Sequence, residues 1–276
     1  MMASIQIRQA ITNDVAPIAS LANRWRLPYQ PAVAEAAVRS AMAGESSIDQ
    51  WWWERLEGVE TVVAEAAGQV VGACSWATAG PEGYAYILWL EGDGTVGEQL
   101  LRYVVDVVLA KPVRAFWFAT PLTLGLEGLP AGLRPEVHRA LVEMGFTPYD
   151  LWLWMAIDDL PTAADEVAVT ERTVDGWRFL VERNGATVAE AEVSVHGRLG
   201  VLWWIGVDDG SRRQGIGRAL LRQVLALVAG NGAESCILFV DHDDAVLRDR
   251  RAALALYRSL GFRVVDHLFS YEPVRR

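Results

Sequence analysis

The sequence predicts an α/β chain with two tandem units, each built around a mixed β-sheet flanked by helices. Three observations support this prediction. An apolar strand leads into a basic, glycine-rich loop and an amphipathic helix, a strand hairpin occurs twice, and a helix ending in Gly-Phe occurs twice. The repeated landmarks lie 116 to 120 residues apart, which indicates an internal duplication. A chain of 276 residues has room for two small domains.

The first unit opens with a strand and amphipathic helices. Residues 5–8 alternate in polarity as a strand does, and Val15 and Ile18 begin the apolar face of a helix. A second helix is predicted over residues 32–43, and three consecutive tryptophans at 51–53 lie in or beside a third. These tryptophans cannot all face one core. At least one is therefore expected to be exposed, either at a packing contact or as an aromatic wall of a substrate site.

Two matching hairpins carry the duplication. Residues 61–76 predict a hairpin that turns near Gly68, and residues 179–191 predict a second one that turns near Gly185. Both hairpins have a glycine at the turn and a glutamate at the same position of the first strand. The match indicates that the two segments occupy equivalent places in two related units.

The ends of two predicted helices match in the same way. Residues 144–146 read Met-Gly-Phe, and residues 260–262 read Leu-Gly-Phe. With the hairpins, these matches place the boundary near residues 158–162. We therefore expect a first unit over residues 1–157 and a second over residues 158–276.

A basic, glycine-rich loop in the second unit carries the strongest functional signal. The apolar run 201–207 before it predicts a strand buried on both faces, and the helix after it ends at residues 230–232. Helix N-termini leave backbone N–H groups without partners and concentrate partial positive charge. Gly215 and Gly217 have no Cβ, so a ligand can approach the backbone closely. The segment therefore predicts a site for a phosphate or pyrophosphate group.

This loop matches neither of two common phosphate-binding motifs. No Gly-Lys-Ser/Thr follows it, which excludes a Walker A loop, and Leu220 stands where the third glycine of the dinucleotide fingerprint would fall. Arg212, Arg213 and Arg218 add positive charge to the segment. A solvated strand-to-helix turn without a ligand is the alternative interpretation.

The pattern Arg212-x-x-Gly215-x-Gly217 resembles the acetyl-CoA loop of the GNAT superfamily of N-acetyltransferases. Residues 236–240 predict a second buried strand, and residues 253–262 resemble the closing helix of that family, Ala-x-x-Leu-Tyr-x-x-Leu-Gly-Phe. The resemblance implies a mixed, splayed sheet in each unit. It also implies direct transfer of an acetyl group from acetyl-CoA to an amine, without a metal.

The resemblance also implies which residues hold the co-substrate. The pyrophosphate would lie on the backbone N–H groups of the loop, and the pantetheine arm would pair with the main chain of the strand ending at Val207. A bulge in that strand would splay the sheet open. The implied cofactor-binding residues are Ile205, Val207, Arg212, Arg213, Gln214, Gly215, Ile216, Gly217, Arg218, Ala219 and Tyr257.

Tyr257 is the residue implied to protonate the leaving thiolate, since a tyrosine hydroxyl with a pKa of about 10 suits that task. A core tyrosine is the alternative. The general base is less well defined, because residues 201–207 contain no acid. We select Glu192 on the preceding strand. Deprotonation through water stays open, as do the other candidates Glu190, Asp208, Asp241 and His242. Residues 241–244, Asp-His-Asp-Asp, are interpreted as a solvated acidic loop and not as a metal cluster.

The two halves are chemically unequal. Glu91, Asp93 and Glu98 surround the corresponding loop of the first half, and Leu141 stands at the position of Tyr257. Carboxylates repel a pyrophosphate, so the first unit is predicted not to bind acetyl-CoA productively. Its predicted role is structural, or it shapes the substrate site.

The second unit is short at its beginning. Residues 158–176 are too few for the strand and two helices that open the first unit. In the family that this unit resembles, those helices commonly flank the acceptor site. We therefore expect the first unit to help cover the acceptor pocket of the second.

Composition narrows the class of protein. The net charge of −10 argues against nucleic-acid binding and favours cationic substrates. Neither a signal peptide nor a membrane span is expected, which predicts a cytoplasmic protein. Cys74 and Cys236 are expected to be buried free thiols, with a disulfide or a catalytic pair as the alternative.

The resulting functional prediction is an N-acetyltransferase that acts on a primary amine of a small molecule, or less readily on a protein N-terminus or lysine. The alternative is an acyl-CoA-binding pseudoenzyme or regulatory module. The intact second loop and Tyr257 favour the enzyme. The predicted oligomeric state is a monomer or a homodimer.

Overall fold

The computed structural model describes residues 4–46, 50–79, 83–108, 111–122, 127–241 and 251–273. Within these residues the chain forms the following α-helices: α1 (Val15–Arg24), α2 (Glu35–Ala43), α3 (Gln50–Trp53), α4 (Gly94–Val107), α5 (Pro135–Glu143), α6 (Ile216–Gly230) and α7 (Arg251–Ser259). The strands are β1 (Gln6–Gln9), β2 (Leu56–Ala66), β3 (Gln69–Ala79), β4 (Tyr84–Glu91), β5 (Val113–Ala115), β6 (Leu129–Pro130), β7 (Thr147–Ile157), β8 (Val169–Arg172), β9 (Trp177–Arg183), β10 (Ala186–His196), β11 (Leu199–Val207), β12 (Ser235–Asp241) and β13 (Arg263–Glu272).

The chain divides into two compact units. Unit 1 comprises Met1–Trp152 together with Asp266–Arg276, and unit 2 comprises Leu153–Val265. The sequence repeat placed the division between residues 157 and 158 and kept the C-terminus in the second unit. In the structure the division falls slightly earlier, and most of β13 belongs to unit 1. The last strand of the chain therefore completes the unit that the N-terminus begins.

Unit 1 is a mixed sheet covered on both faces. Its strands lie in the order β1-β2-β3-β4-β5-β13, and β4 and β5 are its parallel pair. Because successive side chains of a strand point to opposite faces, Cys74 packs with α4 and α5, whereas Val63 and Ala73 pack with α1 and α2. The predicted layering of helices on a mixed sheet is confirmed in this unit.

Unit 2 has a similar sheet with helices on one face. Its strands lie in the order β7-β12-β11-β10-β9-β8, with β11 and β12 parallel. Apolar residues of α6 and α7, among them Leu220, Val224 and Tyr257, form one core with that face. Residues 158–176 are all described, and they contain β8 but no helix. The expected shortening of this unit is therefore confirmed, and it leaves the opposite face of the sheet without counterparts of α1 and α2.

Both predicted hairpins are confirmed, and they share one turn geometry. The turn residues Ala67 and Gly68 have φ values of 50° and 75°, and Asn184 and Gly185 have values of 52° and 77°. Two successive positive φ values are typical of a type I′ turn, which matches the twist of antiparallel strands. Glycine is favoured at the second position because it adopts this conformation without steric cost.

The two cysteines are buried and free, as expected. Burial raises the pKa of the Cys236 thiol to about 12, and burial also raises the pKa of Cys74. Each thiol is therefore neutral at physiological pH and packs as a small apolar side chain. The alternatives of a disulfide and of a catalytic pair are wrong.

The C-terminal strand contributes fully buried side chains to unit 1. Tyr271 is 0% exposed, its ring contacts Phe116 edge to face, and its hydroxyl lies 2.7 Å from Nδ1 of His138. Asp266 at the start of this segment accepts hydrogen bonds of 2.8 Å from the N–H groups of both Gly132 and Leu133. The final residues thus anchor the loop before α5 and fill the core of unit 1.

Replacing Tyr271 tests this contribution. We expect Tyr271→Ala to lower the free energy of unfolding by about 3–5 kcal/mol, because it leaves a large cavity in the core. Tyr271→Phe keeps the ring and removes only the hydroxyl, so its expected cost is about 1 kcal/mol. Urea denaturation monitored by circular dichroism measures both values. Equal, small effects of the two variants would contradict the assignment of this strand to the core.

Candidate active site

The strand before the glycine-rich loop contains a β-bulge. In the pairing of β10 with β11, Val193 lies opposite Leu202 and Glu192 lies opposite Trp204, so Trp203 is the extra residue. Pairing of β11 with β12 ends at Leu202. Beyond that residue the two parallel strands diverge. The predicted bulge and the splayed sheet are therefore confirmed.

The interpretation of residues 201–207 as a strand buried on both faces is wrong for its second half. Val201 and Leu202 are buried, but Trp203 is 40% exposed and Trp204 is 54% exposed. Helices α6 and α7 pack on the opposite face of the sheet of unit 2, so neither of them covers these two side chains. Local hydrophobicity does not distinguish a buried strand from a strand with one open face.

The glycine-rich loop leads into α6 with an open N-terminus. Gly215 is the N-cap residue, has a φ of +80°, and places no side-chain acceptor on the first N–H groups of the helix. A Cβ added at Gly215 would meet nothing within 4 Å. Arg213 also has a positive φ, of 60°. The backbone around this N-terminus is therefore accessible and carries the partial positive charge that favours an anion.

Two side chains of the loop hold its shape. The guanidinium of Arg212 donates to the carbonyl of Val207 at 3.0 Å and pairs with Asp209 at 2.7 Å. Gln214 donates to the carbonyl of Gly210 and accepts a hydrogen bond of 2.8 Å from Arg183. These contacts lie at the surface, so an incoming anion can replace them at small cost.

Gly217 and Arg218 connect the loop to α7. A Cβ added at Gly217 would lie 3.3 Å from Val207 and 3.5 Å from Leu256, so glycine lets β11 and α7 approach α6 closely. Arg218 donates hydrogen bonds to the hydroxyl and to the carbonyl of Ser259 at 3.0 and 3.2 Å. Arg218 therefore positions the C-terminal end of α7. The side chain of Ile216 is buried, and Ala219 donates its N–H to the carbonyl of Gly215 at 3.1 Å.

Tyr257 follows Leu256 on α7 and is 7% exposed. Its ring contacts Phe262 edge to face at 5.9 Å, within the core of unit 2. Because Leu256 touches Gly217, the structure brings the helix that carries Tyr257 against the start of α6. The burial is compatible with both sequence-based interpretations, the catalytic acid and the core tyrosine.

The base candidates lie on different parts of unit 2. Glu192 and Glu190 on β10 lie opposite Trp204 and Gly206 on β11. Their side chains are partly exposed, and Arg178 lies between them. Asp208 follows β11 and donates its N–H to the carbonyl of Val188. Asp241 ends β12 and His242 lies outside the described residues, so the interpretation of residues 241–244 as an acidic loop stays a prediction.

Unit 1 contains the same bulge at the equivalent point. In the pairing of β3 with β4, Ser75 lies opposite Trp89 and Trp76 lies opposite Ile87, so Leu88 is the extra residue. The parallel pairing of β4 with β5 ends at Ile87. Both units thus open their sheets immediately before the bulged residue. This correspondence identifies Leu90 with Ile205 and Gly92 with Val207.

The helix that follows the bulged strand in unit 1 is capped by carboxylates. Asp93 accepts a hydrogen bond from the N–H of Val96 at 3.2 Å, and Glu136 accepts one from Gly94 at 3.1 Å. Two residues separate the strand end at Glu91 from α4, whereas a longer loop precedes α6. The N–H groups that an anion would use in unit 2 are therefore occupied by side chains in unit 1.

The opening of the sheet in unit 1 is also filled by a side chain. The guanidinium of Arg134 donates to the carbonyls of Leu90 and Gly92 and is 6% exposed. Its Nη1 lies 3.6 Å from a carboxylate oxygen of Glu91. The remaining space is a cavity of about 50 Å³, lined in part by Trp89 and Phe116. Arg134 thus binds the carbonyl oxygens of Leu90 and Gly92, and the equivalent carbonyls in unit 2 are those of Ile205 and Val207.

Sequence reasoning did not identify Arg134, Ser259 or the exposed pair Trp203 and Trp204. Arg134 is isolated in the sequence, and only the register of β4 shows which carbonyls it can reach. The acidic residues of the first loop were the one sequence signal for the difference between the two units, because they indicated correctly that carboxylates lie at the start of α4. Among the three tryptophans of α3, Trp53 is buried and Trp51 and Trp52 are exposed, as expected.

The described residues were also compared with the requirements of a membrane-spanning helix and of a metal site. No helix in that part of the chain is both long and apolar enough to cross a membrane. The same residues contain no group of three or more His, Cys, Asp or Glu side chains placed to hold a metal ion.

Comparison with known proteins places unit 2 in a family. Residues 175–264 match the family model of the acetyltransferase (GNAT) domain. The chain is 27% identical to the mycothiol acetyltransferase of Streptomyces coelicolor, over 76% of this chain and 72% of that protein. It is 24% identical to the mycothiol acetyltransferase of Streptomyces avermitilis, over 90% of this chain and 87% of that protein.

Solved structures share the fold over nearly the whole chain. A tandem GNAT protein from the clavulanic acid biosynthesis pathway superposes with a TM-score of 0.64 at 14% identity, covering 99% of both chains. A GCN5-related N-acetyltransferase from Sphaerobacter thermophilus superposes with a TM-score of 0.63 at 15% identity, covering 99% of this chain and 96% of that one. The prediction of two tandem units of one fold is confirmed.

The buried pair in unit 1 predicts a specific pH dependence. Burial raises the pKa of Glu91 to about 7, while Arg134 acts in the opposite direction. At pH values between 4.5, the pKa of this carboxyl in the unfolded chain, and about 7, its pKa in the folded chain, Glu91 holds a proton in the folded state that it releases on unfolding. Stability contributed by the protonated carboxyl is therefore present at low pH and is lost as pH rises through this window.

We expect the difference in unfolding free energy between the wild type and Glu91→Gln to fall by about 2–3 kcal/mol from pH 4.5 to pH 7.5. The amide cannot titrate, so other groups cancel in the comparison. Chemical denaturation of both proteins across this range measures the difference. A difference that stays flat, or that rises with pH, would show that folding does not raise the pKa of Glu91.

Proposed function

This chain belongs to the GNAT superfamily of acetyltransferases, and on that basis we propose that unit 2 transfers the acetyl group of acetyl-CoA to a primary amine of a small molecule. The observation that carries the proposal is the open N-terminus of α6 beside a splayed strand. It offers free N–H groups for a pyrophosphate, and after Leu202 the main chain of β11 is no longer paired with β12, which leaves that edge for a pantetheine arm. The surface hydrogen bond from Arg212 to the carbonyl of Val207 would be replaced on binding.

In this proposal the loop residues bind the co-substrate through the backbone. The pyrophosphate lies on the N–H groups from Gln214 to Arg218, and Arg212 and Arg213 add positive charge. The N–H of Ala219 already donates to the carbonyl of Gly215, so Ala219 contributes its backbone position at the first turn of α6 and no free donor. The main chain of Ile205 and Val207 pairs with the pantetheine arm, as an additional strand would. The packing of Gly217 and Arg218 against α7 supports a role for both in holding the loop in this conformation.

The proposed reaction is a direct transfer. The nitrogen of the neutral amine attacks the acetyl carbonyl carbon, the C–S bond breaks, and the sulfur leaves with the electron pair. Glu192, or a water molecule that it orients, takes the proton of the amine, and Tyr257 supplies a proton to the thiolate. Glu192 lies on the open face of the sheet beside the bulge, and Tyr257 lies on the helix that packs against the loop.

Unit 1 is proposed to lack this co-substrate site. Asp93 and Glu136 occupy the N-terminus of α4, and Arg134 occupies the carbonyls of the splayed strand. A pyrophosphate would have to displace two carboxylates, and a pantetheine arm would have to displace a buried guanidinium. These costs support one acetyl-CoA site per chain.

The relatives named mycothiol acetyltransferases make mycothiol-type acceptors one group to include in a substrate screen. At this identity their name does not decide the acceptor. Peptides with a free N-terminal amine and lysine-containing peptides form a second group, because a protein N-terminus or lysine is the other acceptor that the sequence analysis leaves open.

Calorimetric titration with acetyl-CoA tests the site. We expect one molecule to bind per chain, and we expect Gly215→Asp to weaken binding by about tenfold or more. The added carboxylate lies at the N-terminus of α6, where it repels the pyrophosphate. Gly232→Asp is the matched control, because Gly232 has a φ of +90°, also faces open space, and lies at the other end of the same helix.

Two results would contradict this assignment. Two molecules bound per chain would show that unit 1 also takes acetyl-CoA. Equal weakening by both substitutions would show that backbone strain, and not charge at the loop, controls binding. Binding without turnover of any amine would favour the acyl-CoA-binding pseudoenzyme.

Tyr257→Phe tests the proposed acid. The phenylalanine fills the same space in the core, so the unfolding free energy should change by only about 1 kcal/mol. With an amine that supports turnover, we expect kcat to fall about a hundredfold or more, because the thiolate leaves unprotonated. Acetyl-CoA affinity should fall far less than kcat, because the contacts with the loop and with β11 stay in place. A kcat within twofold of the wild type would identify Tyr257 as a core residue only.

A further inference from the structure

The bulge in β11 brings two successive tryptophans onto one face of unit 2. Neighbouring residues of a regular strand point to opposite faces. Because Trp203 is the extra residue, both indoles lie on the face away from α6, while Leu202 and Ile205 on either side of them pack in the core. Two adjacent aromatic side chains on an open sheet face are therefore a product of the bulge.

Each indole has a defined position. Trp203 donates its Nε1–H to the hydroxyl of Ser194 at 2.7 Å, and that hydroxyl also lies 2.8 Å from Nε2 of His196. The indole of Trp204 lies over Gly206, where an added Cβ would be 3.2 Å from its Nε1. Trp204 nevertheless remains 54% exposed, so much of its side chain is accessible to a ligand. The hydrogen bond and the glycine thus hold a fixed aromatic surface.

Carboxylates lie directly beside this surface. Glu192 is the cross-strand partner of Trp204, and Glu190 is the partner of Gly206. Directly opposed residues share one face of a sheet. Arg178 pairs with Glu190 at 2.7 Å but lies 3.8 Å from Glu192. Glu171 on β8 is a further carboxylate opposite Arg178, so the surroundings of this arginine stay net negative. Glu192 is less neutralised by the arginine than Glu190.

The equivalent face in unit 1 is closed. The bulge residues Leu88 and Trp89 are 1% and 3% exposed and pack with residues of α1 and α2. Unit 2 has no such helices over residues 158–176. Of the two equivalent bulges, the one in unit 2 therefore has exposed aromatic side chains. Unit 2 is also the unit that carries the proposed acetyl-CoA site.

We propose that Trp203, Trp204 and Glu192 form the acceptor-recognition surface of unit 2, and that this surface takes up the acceptor as an alkylammonium cation. An indole face attracts a cation through its quadrupole, and tryptophan does so best among the aromatic residues. A neighbouring carboxylate adds charge complementarity and can then accept the proton of the amine. This inference rests on the proposed acetyl transfer and names the charge state in which the substrate is selected.

A pair of isosteric probes tests the inference without any reaction. Choline carries a quaternary ammonium group, and 3,3-dimethylbutan-1-ol has the same shape without charge. Each probe is titrated into the full chain in the presence of CoA, while indole N–H signals are followed in a ¹H–¹⁵N spectrum assigned by tryptophan substitutions. We expect the signals of Trp203 and Trp204 to shift, with affinity for choline about two- to fivefold higher than for the neutral probe.

A matched tryptophan provides the control. Trp51 in unit 1 is also 54% exposed, but the guanidinium of Arg55 already lies 5.1 Å from the centre of its ring. Its signal should not respond to choline. Trp204→Leu should abolish the choline preference while acetyl-CoA affinity, measured on the same sample, stays unchanged.

The outcomes separate this inference from the function on which it rests. Equal affinity for both probes, a response at Trp51 alone, or a preference that survives Trp204→Leu would overturn the recognition surface and leave the proposed transfer intact. If the wild type did not bind acetyl-CoA, the proposed function itself would be overturned. A choline preference that disappears in both Trp204→Leu and Glu192→Gln would support the combined aromatic and acidic surface.

Discussion

The proposed site depends on one feature of the main chain, the divergence of β11 from β12 after Leu202. Parallel strands must stay paired or find other hydrogen-bond partners, because unpaired buried backbone groups are costly. The bulge at Trp203 accompanies this divergence, and beyond Leu202 the edge of β11 that faced β12 is no longer paired with it. The same bulge places two indoles beside Glu192. In the proposed function, the same extra residue therefore serves both co-substrate binding and acceptor recognition.

Unit 1 keeps this backbone geometry and uses it differently. Its bulge at Leu88 and its divergence after Ile87 match those of unit 2, but Arg134 supplies the missing hydrogen-bond donors. Carboxylates complete the N-terminus of α4 in the same way. In the proposed function, unit 1 thus satisfies with its own side chains the backbone groups that the co-substrate would contact in unit 2. The buried Glu91 beside Arg134 shows the electrostatic cost of that replacement.

Features that depend on neighbouring residues could be predicted from the sequence, whereas features that depend on contacts between distant segments could not. The hairpin turns at Gly68 and Gly185 were predictable because a turn with positive φ needs only a few neighbouring residues. The exposure of Trp204 was not, since it depends on whether helices cover a face formed by distant strands. The roles of Arg212, Gly215 and Tyr257 stay predictions that binding and kinetic measurements decide.

By itself, the sequence determined the duplication, the order of strands and helices around each glycine or acidic loop, and the family resemblance of the second half. These properties are encoded in local periodicity, glycine positions and charge. Only the tertiary structure decided that β13 completes unit 1, that Arg134 reaches the carbonyls of Leu90 and Gly92, and that Trp203 and Trp204 share one face. Each of these depends on the register between strands, which is set by pairing and packing across the whole sheet and not by any single segment.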